Sequence, residues 1–216
     1  MTFNGGWSDA FIAKFNPSGS ELLFATFLGG SNDVGGYEEG IGITLDREGN
    51  IYIVGNTNSP HFPLTSNALD TTFGGGEVFV SVFDNSGSSL IFSTFVGGSA
   101  GETSGGIAVD QSGNIYLTGG TYSVDFPVTP GAYDTSKNAQ EDAFLTKISG
   151  DKTSLVYSTF FGATNESFSE YGTSIGIDPE GSAYIAGNMG TDVNIFVAKF
   201  DIYGNTVHEA SVLSGC

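Results

Sequence analysis

The most regular feature of the chain is an alternation of apolar and polar positions with a period of two, in short runs. In AFIAKF, Phe11, Ala13 and Phe15 lie on one side of a predicted strand, and Ile12 and Lys14 lie on the other. This alternation predicts β-strands rather than helices. In LIFSTFV both sides are largely apolar, so we expect sheets that are covered on both faces by neighbouring sheets.

These strands belong to an internal repeat. Segments that start at Asp9, Glu77 and Asp142 align without gaps, and a block of the type GIAVDQSGNIYLTGGT follows each of them. Equivalent phenylalanines recur at intervals of 68, 65 and 52 residues, at Phe11, Phe79, Phe144 and Phe196. A four-stranded unit of this length is typical of a β-propeller blade rather than of a shorter solenoid repeat.

Turns of repeated composition separate the strands. The strings DREGN, DQSGN, DPEGS, NPSGS, DNSGS and DIYGN place Asp or Asn first and Gly fourth. Asp and Asn accept hydrogen bonds from the turn backbone and Gly adopts positive φ, so each string predicts a tight hairpin. They lack the alternating oxygen ligands of an EF-hand-like calcium loop. The equivalent SGDKT, from Ser149, has lost the glycine and is the degenerate copy.

The order of the strands predicts an all-β fold of four-stranded antiparallel meanders, with the GIAVD-type strand innermost. We expect a single β-propeller unit over 1–216, with an outer hairpin at 9–30 and blades at about 40–97, 106–161 and 173–213, or about three and a half blades. Closed propellers usually have at least four blades. Completion by a second copy, as a seven-bladed ring, or by further blades of a longer polypeptide is therefore expected.

Charge narrows the range of partners. The 216 residues include 24 acidic and 6 basic side chains, a net charge of -18, which argues against nucleic acid as a partner. Neither a signal peptide nor an apolar run long enough to insert in a membrane is visible. Cys216 is the only cysteine, so no disulfide forms within one chain.

The meander places the tight turns on one face and the long links on the other, where binding residues are expected. Carboxylates in the blade-to-blade loops lead into the innermost strands, at Asp33, Glu38, Glu39, Glu102, Glu166 and Glu170. Gathered at a channel mouth, they could hold a hydrated cation such as Ca²⁺ or a hydroxyl-rich ligand. The alternative is that they are solvated loop acids.

The two long inserts, 58–77 and 122–142, share a Phe-Pro pair, at Phe62 and Phe126, with a Thr and an Ala downstream. Each ring could contact a sugar or peptide, or it could anchor the insert to its blade.

Catalytic motifs are weak. His61 and His208 do not form a helical metal-binding pair, and the G-x-S-x-G match at 97–101 precedes a loop and a strand instead of the required helix. No catalytic residue is assigned. The abundance of Asp and Glu leaves a pair of carboxylates for glycoside cleavage as an open alternative.

The strings DAFIAKFNPSGS, LLFATFLGG, GIAVDQSGNIYLTGGT and SVDFPVTPGAYDT resemble the bacterial β-propeller repeat (SBBP) family. The resemblance implies a cell-surface or secreted protein, generally without catalysis, and it transfers no functional residue. We therefore expect a scaffold or interaction module for a protein or polysaccharide partner, with no cofactor beyond a possible Ca²⁺. The alternatives are a glycan lyase or hydrolase that uses loop carboxylates, and a calcium-stabilised adhesion module.

Overall fold

The computed structural model describes residues 3–30, 35–162, 169–190 and 194–214. All regular structure in this part of the chain is β-strand. The strands are β1 (Ala10–Phe15), β2 (Leu22–Leu28), β3 (Glu38–Leu45), β4 (Ile51–Thr57), β5 (Glu77–Phe83), β6 (Leu90–Val96), β7 (Glu102–Val109), β8 (Ile115–Thr121), β9 (Asp142–Ile148), β10 (Leu155–Phe161), β11 (Glu170–Ile177), β12 (Ala183–Met189), β13 (Asn194–Phe200) and β14 (Val207–Ser214). Within these ranges the chain has no helix that could cross a membrane.

The strands form one two-stranded sheet, β1-β2, and three four-stranded antiparallel sheets. Their orders are β3-β4-β5-β6, β7-β8-β9-β10 and β11-β12-β13-β14, which confirms the predicted all-β fold of meander blades. Strand β7 contacts β3 of the preceding sheet and β11 of the following sheet, so the GIAVD-type strands occupy the inner side of the sheets.

Each innermost strand begins earlier than the apolar pattern predicts, at Glu38, Glu102 and Glu170. A register shift interrupts each of these strands, for example between Gly40 and Gly42. A β-bulge inserts an extra residue and reverses the alternation of side chains. The pattern therefore stops at the bulge, although the strand continues.

Successive sheets pack through faces of different composition. Val78 and Val80 of β5 share a core with Ile107 and Phe144 of the next sheet. The opposite face of β5, which carries Phe79, shares a core with side chains of the preceding hairpin β1-β2. The third strand of each unit thus presents an aliphatic face to the sheet that follows, with Val78 and Val80 in β5 and Ala143 and Leu145 in β9, and Phe79 or Phe144 to the sheet that precedes it.

The Asp-x-x-Gly strings form the predicted turns. Gly49, Gly113 and Gly181 adopt φ values of 80°, 77° and 91°. The carboxylate of Asp46 accepts hydrogen bonds from the backbone of Asn50 at 2.8 Å and from the hydroxyl of Tyr52 at 3.2 Å. These local bonds hold the hairpin closed, which confirms the prediction that the strings are turns.

Candidate functional site

The long links lie together at one end of the sheets, because alternate connections of a meander fall at opposite ends. The links between the second and third strands cover 58–76 and 122–141, and the blade-to-blade link 97–101 runs between them. The tight Asp-x-x-Gly turns occupy the other end.

Each long insert runs along the outermost strand of its own blade. The amide of Thr65 donates to the carbonyl of Ser93 at 3.2 Å, and the amide of Ser93 donates to the hydroxyl of Thr65 at 2.9 Å. Thr129 and Ser158 make the same pair of bonds in the next blade, at 3.0 Å each. The inserts therefore cover the edges of β6 and β10, where unpaired backbone groups would otherwise be open to another strand.

The Phe-Pro phenylalanines fix these inserts to the blades. Phe62 and Phe126 are 4% and 2% exposed, and their ring centroids lie 4.4 Å from Phe79 and 4.7 Å from Phe144. Neither ring faces solvent. Of the two roles considered for them, the geometry fits anchoring, since ligand contact would need the insert to leave the blade.

An open cleft of about 650 Å³ lies between the two inserts. Asp70 and Phe73 of the first insert line one side, and Asp125 and Pro127 of the second insert line the other; none of its lining residues is basic. The carboxylate of Asp125 accepts hydrogen bonds from the amide and hydroxyl of Ser99, at 2.9 and 3.0 Å. These bonds lower the pKa of Asp125, so it is negatively charged at neutral pH.

Three of the predicted loop acids, Glu38, Glu102 and Glu170, are buried at the first position of an innermost strand. Oε1 of Glu102 accepts hydrogen bonds from the hydroxyls of Thr121 at 2.8 Å and Ser123 at 2.5 Å. Oε1 of Glu38 accepts one from Thr57 in the same way, at 2.9 Å. The carboxylates of Glu38 and Glu102 thus connect the inner strand to the end of the second strand, where the long insert begins.

The other predicted acids are placed differently. Glu39 is exposed on β3, and Asp33 and Glu166 lie outside the described residues. In the part of the chain that the structure describes, no three His, Cys, Asp or Glu side chains come together as a metal site. A cation site at a common channel mouth stays a prediction.

Sequence reasoning missed a second row of acids at the third strand of each unit. Glu77 and Asp142 are the first residues of β5 and β9, and Asp9 directly precedes β1. Glu77 and Asp142 are buried. The acid that begins each of the three aligned segments could have predicted this row. The repeated Thr-x-Ser after the second strand, at Thr57 and Thr121, was the corresponding signal for the hydrogen-bond partners of the inner acids.

Repeated four-stranded meanders with converging inner strands define this chain as a protein of the β-propeller blade class. The family model described as beta-propeller repeat, SBBP, matches residues 35–63 and 91–127. These two segments match that repeat, which confirms the resemblance seen in the sequence. The second match spans the blade-to-blade link that lines the cleft. No curated protein matches the chain.

Proposed function

We propose that this chain is a non-catalytic scaffold and interaction module of a cell-surface or secreted protein, which binds a protein or glycan partner through its long-loop face. The observation that carries the proposal is the cleft between two inserts that are each fixed to a blade edge. Binding surfaces on a rigid scaffold are commonly built from such loops.

The chemistry of the cleft indicates the kind of ligand. Phe73, Pro127 and Leu155 provide apolar contact surface, and Asp70 and Asp125 provide carboxylates. Clefts of this size, with apolar walls and a few polar groups, suit small or extended ligands. Carboxylates accept hydrogen bonds from sugar hydroxyls or from amino and guanidinium groups of a peptide.

Binding to glycan and peptide arrays tests this proposal. We expect the double variant Asp70→Asn, Asp125→Asn to lose at least about tenfold in affinity for any hit, since each charged hydrogen bond contributes on the order of 1.5–3 kcal/mol. Glu48→Gln, in an exposed turn at the opposite end, is the matched control and should bind normally.

Two outcomes would contradict the proposal. Equal binding by the cleft variant and the control would remove the cleft as the site. Glycan turnover that Glu102→Gln or Glu166→Gln abolishes would make the protein an enzyme instead.

The flanks of the molecule point to a second kind of partner, further blades of the same type. Phe11 is 72% exposed on β1, whereas the equivalent Phe79 is fully buried by the preceding hairpin. Val197 is 43% exposed on β13, whereas the equivalent Val80 is fully buried by the following sheet. Both open faces match the faces that pack together inside the molecule, so a blade of the same repeat fits each of them.

The edge of β1 specifies what such a partner must supply. In the described residues β1 pairs only with β2, whereas the equivalent β5 pairs with β4 as well. A hairpin equivalent to β3-β4 would complete this sheet. Two copies joined as a seven-bladed ring would contribute two outer hairpins and no such inner hairpin. Further blades that bring an inner hairpin are therefore the form of completion that we favour.

A further inference from the structure

Two buried carboxyl groups from adjacent sheets meet beneath Gly97. Glu77 is the first residue of β5 and Glu102 is the first residue of β7, and they are 1% and 5% exposed. A methyl group placed on Gly97 would lie 2.1 Å from Oε2 of Glu77 and 2.5 Å from Oε2 of Glu102. The two oxygens can be no farther apart than the sum of these distances, about 4.6 Å.

The other oxygen of each carboxyl group is already used. Oε1 of Glu77 accepts a hydrogen bond from the amide of Gly74 at 2.5 Å, and Oε1 of Glu102 accepts from the hydroxyls of Thr121 and Ser123. Both Oε2 atoms are buried and accept no hydrogen bond of normal geometry among the described residues. The amides of Gly75 and Gly98 lie near the two carboxyl groups and favour their charged forms, but less than burial disfavours them. A buried acceptor without a partner is unfavourable, and two ionised carboxylates at this separation repel each other.

The charged groups around the pair do not relieve this repulsion. Asp70, from the first insert, acts on Glu77, and Asp125, from the second insert, acts on Glu102. Both are acidic. In the described ranges neither member of the pair takes part in a salt bridge.

We propose that Glu77 and Glu102 share one proton, with the carboxyl of Glu77 donating from its Oε2 to Oε2 of Glu102, and that this hydrogen bond makes the junction between the first two four-stranded sheets sensitive to pH. In this arrangement Oε2 of Glu77 carries the hydrogen and Oε2 of Glu102 accepts it, so both buried oxygens take part in a hydrogen bond. The pair then carries a single negative charge. Glu102 keeps that charge, because its Oε1 accepts two hydroxyl hydrogen bonds that favour the ionised form.

The direction of the pH effect follows from the pKa. Burial raises the pKa of Glu77 to about 7, with a further contribution from the negative charge of Glu102, and burial also raises the pKa of Glu102. An unfolded glutamate has a pKa near 4.5. The stabilisation is therefore complete below about pH 4.5 and is lost as the pH rises to about 7, because the unfolded chain releases the proton first.

The next junction offers a comparison. Asp142 holds the same strand position as Glu77, but its oxygens accept the amides of Asn138 and Ala139 at 2.8 and 2.7 Å. The ammonium of Lys137 lies 4.0 Å from Oδ1 of Asp142. Burial raises the pKa of Asp142 as well, but both of its oxygens already accept hydrogen bonds, so it needs no shared proton to satisfy them.

The first test compares thermal unfolding of the wild type, Glu77→Gln and Asp142→Asn between pH 5 and 8. The amide of Gln at position 77 can donate permanently to Glu102, so we expect this variant to have the higher Tm at pH 8. Relative to it, the wild type should lose about 100-fold in its folding equilibrium constant over this range, since one pKa unit is a factor of ten. Asp142→Asn replaces one of the two oxygens that accept these amides with an NH₂ group, so it should lower Tm at pH 8.

The second test reads the proton directly in the wild type, by ¹³C NMR of the glutamate side-chain carboxyl carbons. We expect a resonance that titrates near pH 7 and is absent from Glu77→Gln. Titration of all glutamates near their ordinary pKa would overturn the proposal. So would a Tm at pH 8 that CaCl₂ raises for the wild type but not for Glu77→Gln, because a cation would then take the place of the proton.

Discussion

Single residues decide how tightly the repeated turns can close. Gly19, Gly87 and Gly204 occupy the fourth position of the outer turns with φ between 67° and 70°. In the degenerate copy this position is Lys152, with a φ of 62°, the only positive φ of a non-glycine residue in the described part of the chain. Its ammonium donates to the carbonyl of Gly150 at 2.9 Å. Thus the turn geometry persists without glycine at one of the four sites.

Two glycines with the same φ should differ in their tolerance of a side chain. A methyl on Gly19 would meet no atom within 4 Å, whereas a methyl on Gly87 would lie 2.3 Å from the ring of Phe24. We expect Gly19→Ala to lower the free energy of unfolding by about 1 kcal/mol, from backbone strain alone. Gly87→Ala should lower it by about 2–4 kcal/mol, since overpacking adds to the strain. Urea denaturation measures both values, and equal losses would contradict the proposed contact with Phe24.

At the scale of the element, the sequence predicted those features that depend on neighbours along the chain. Alternation and turn composition located the strands and the hairpins, because both arise from residues a few positions apart. The bulge after Glu38 was not predicted, because it reverses the alternation of inward and outward side chains on which the prediction rests. The sequence also did not predict two contacts between distant residues. One is the hydrogen bond between Thr65 and Ser93, which are 28 positions apart, and the other is the approach of Glu77 to Glu102, which are 25 positions apart. Local patterns carry no information on which repeated Thr or Glu will face which partner.

The insert that covers β10 depends on one aromatic anchor. Phe126 packs against Phe144 and Phe160, at 4.7 and 5.9 Å between ring centroids. We expect Phe126→Ala to lower the free energy of unfolding by about 3–5 kcal/mol, as is usual for a buried phenylalanine. The amides of Ser158 and Phe160, which the insert covers, should exchange hydrogen faster than in the wild type.

The control for this prediction is Val124→Ala. Val124 lies in the same insert and is 82% exposed, so its truncation should change stability by no more than about 0.5 kcal/mol and leave exchange in β10 unaltered. Faster exchange throughout the molecule in Phe126→Ala, without a preference for β10, would show that the insert does not protect this edge specifically.

At the scale of the whole molecule, the two flanks differ from each other and complement each other. The exposed face of β13 is of the Val and Ile type, and the exposed face of β1 is of the Phe type. Inside the molecule these two types pack against each other at successive junctions. A contact between unlike faces is heterologous, so it repeats from copy to copy as a ring or a filament instead of closing as a symmetric pair.

This complementarity predicts that the chain in isolation associates head to tail. Light scattering after size exclusion should give a mass above the 22.4 kDa of one chain, rising with concentration. Val197→Lys places a charge on the β13 face and should reduce the mass to that of one chain. At a dilution where the wild type is also a single chain, the urea midpoints of the two proteins should agree within error, since Val197 is partly exposed in the single chain. Val124→Lys, in the second insert and far more exposed, should associate as the wild type does. A folded wild type that remains a single chain at all concentrations would show that these faces do not bind each other, and the blades that cover them would then have to come from another sequence.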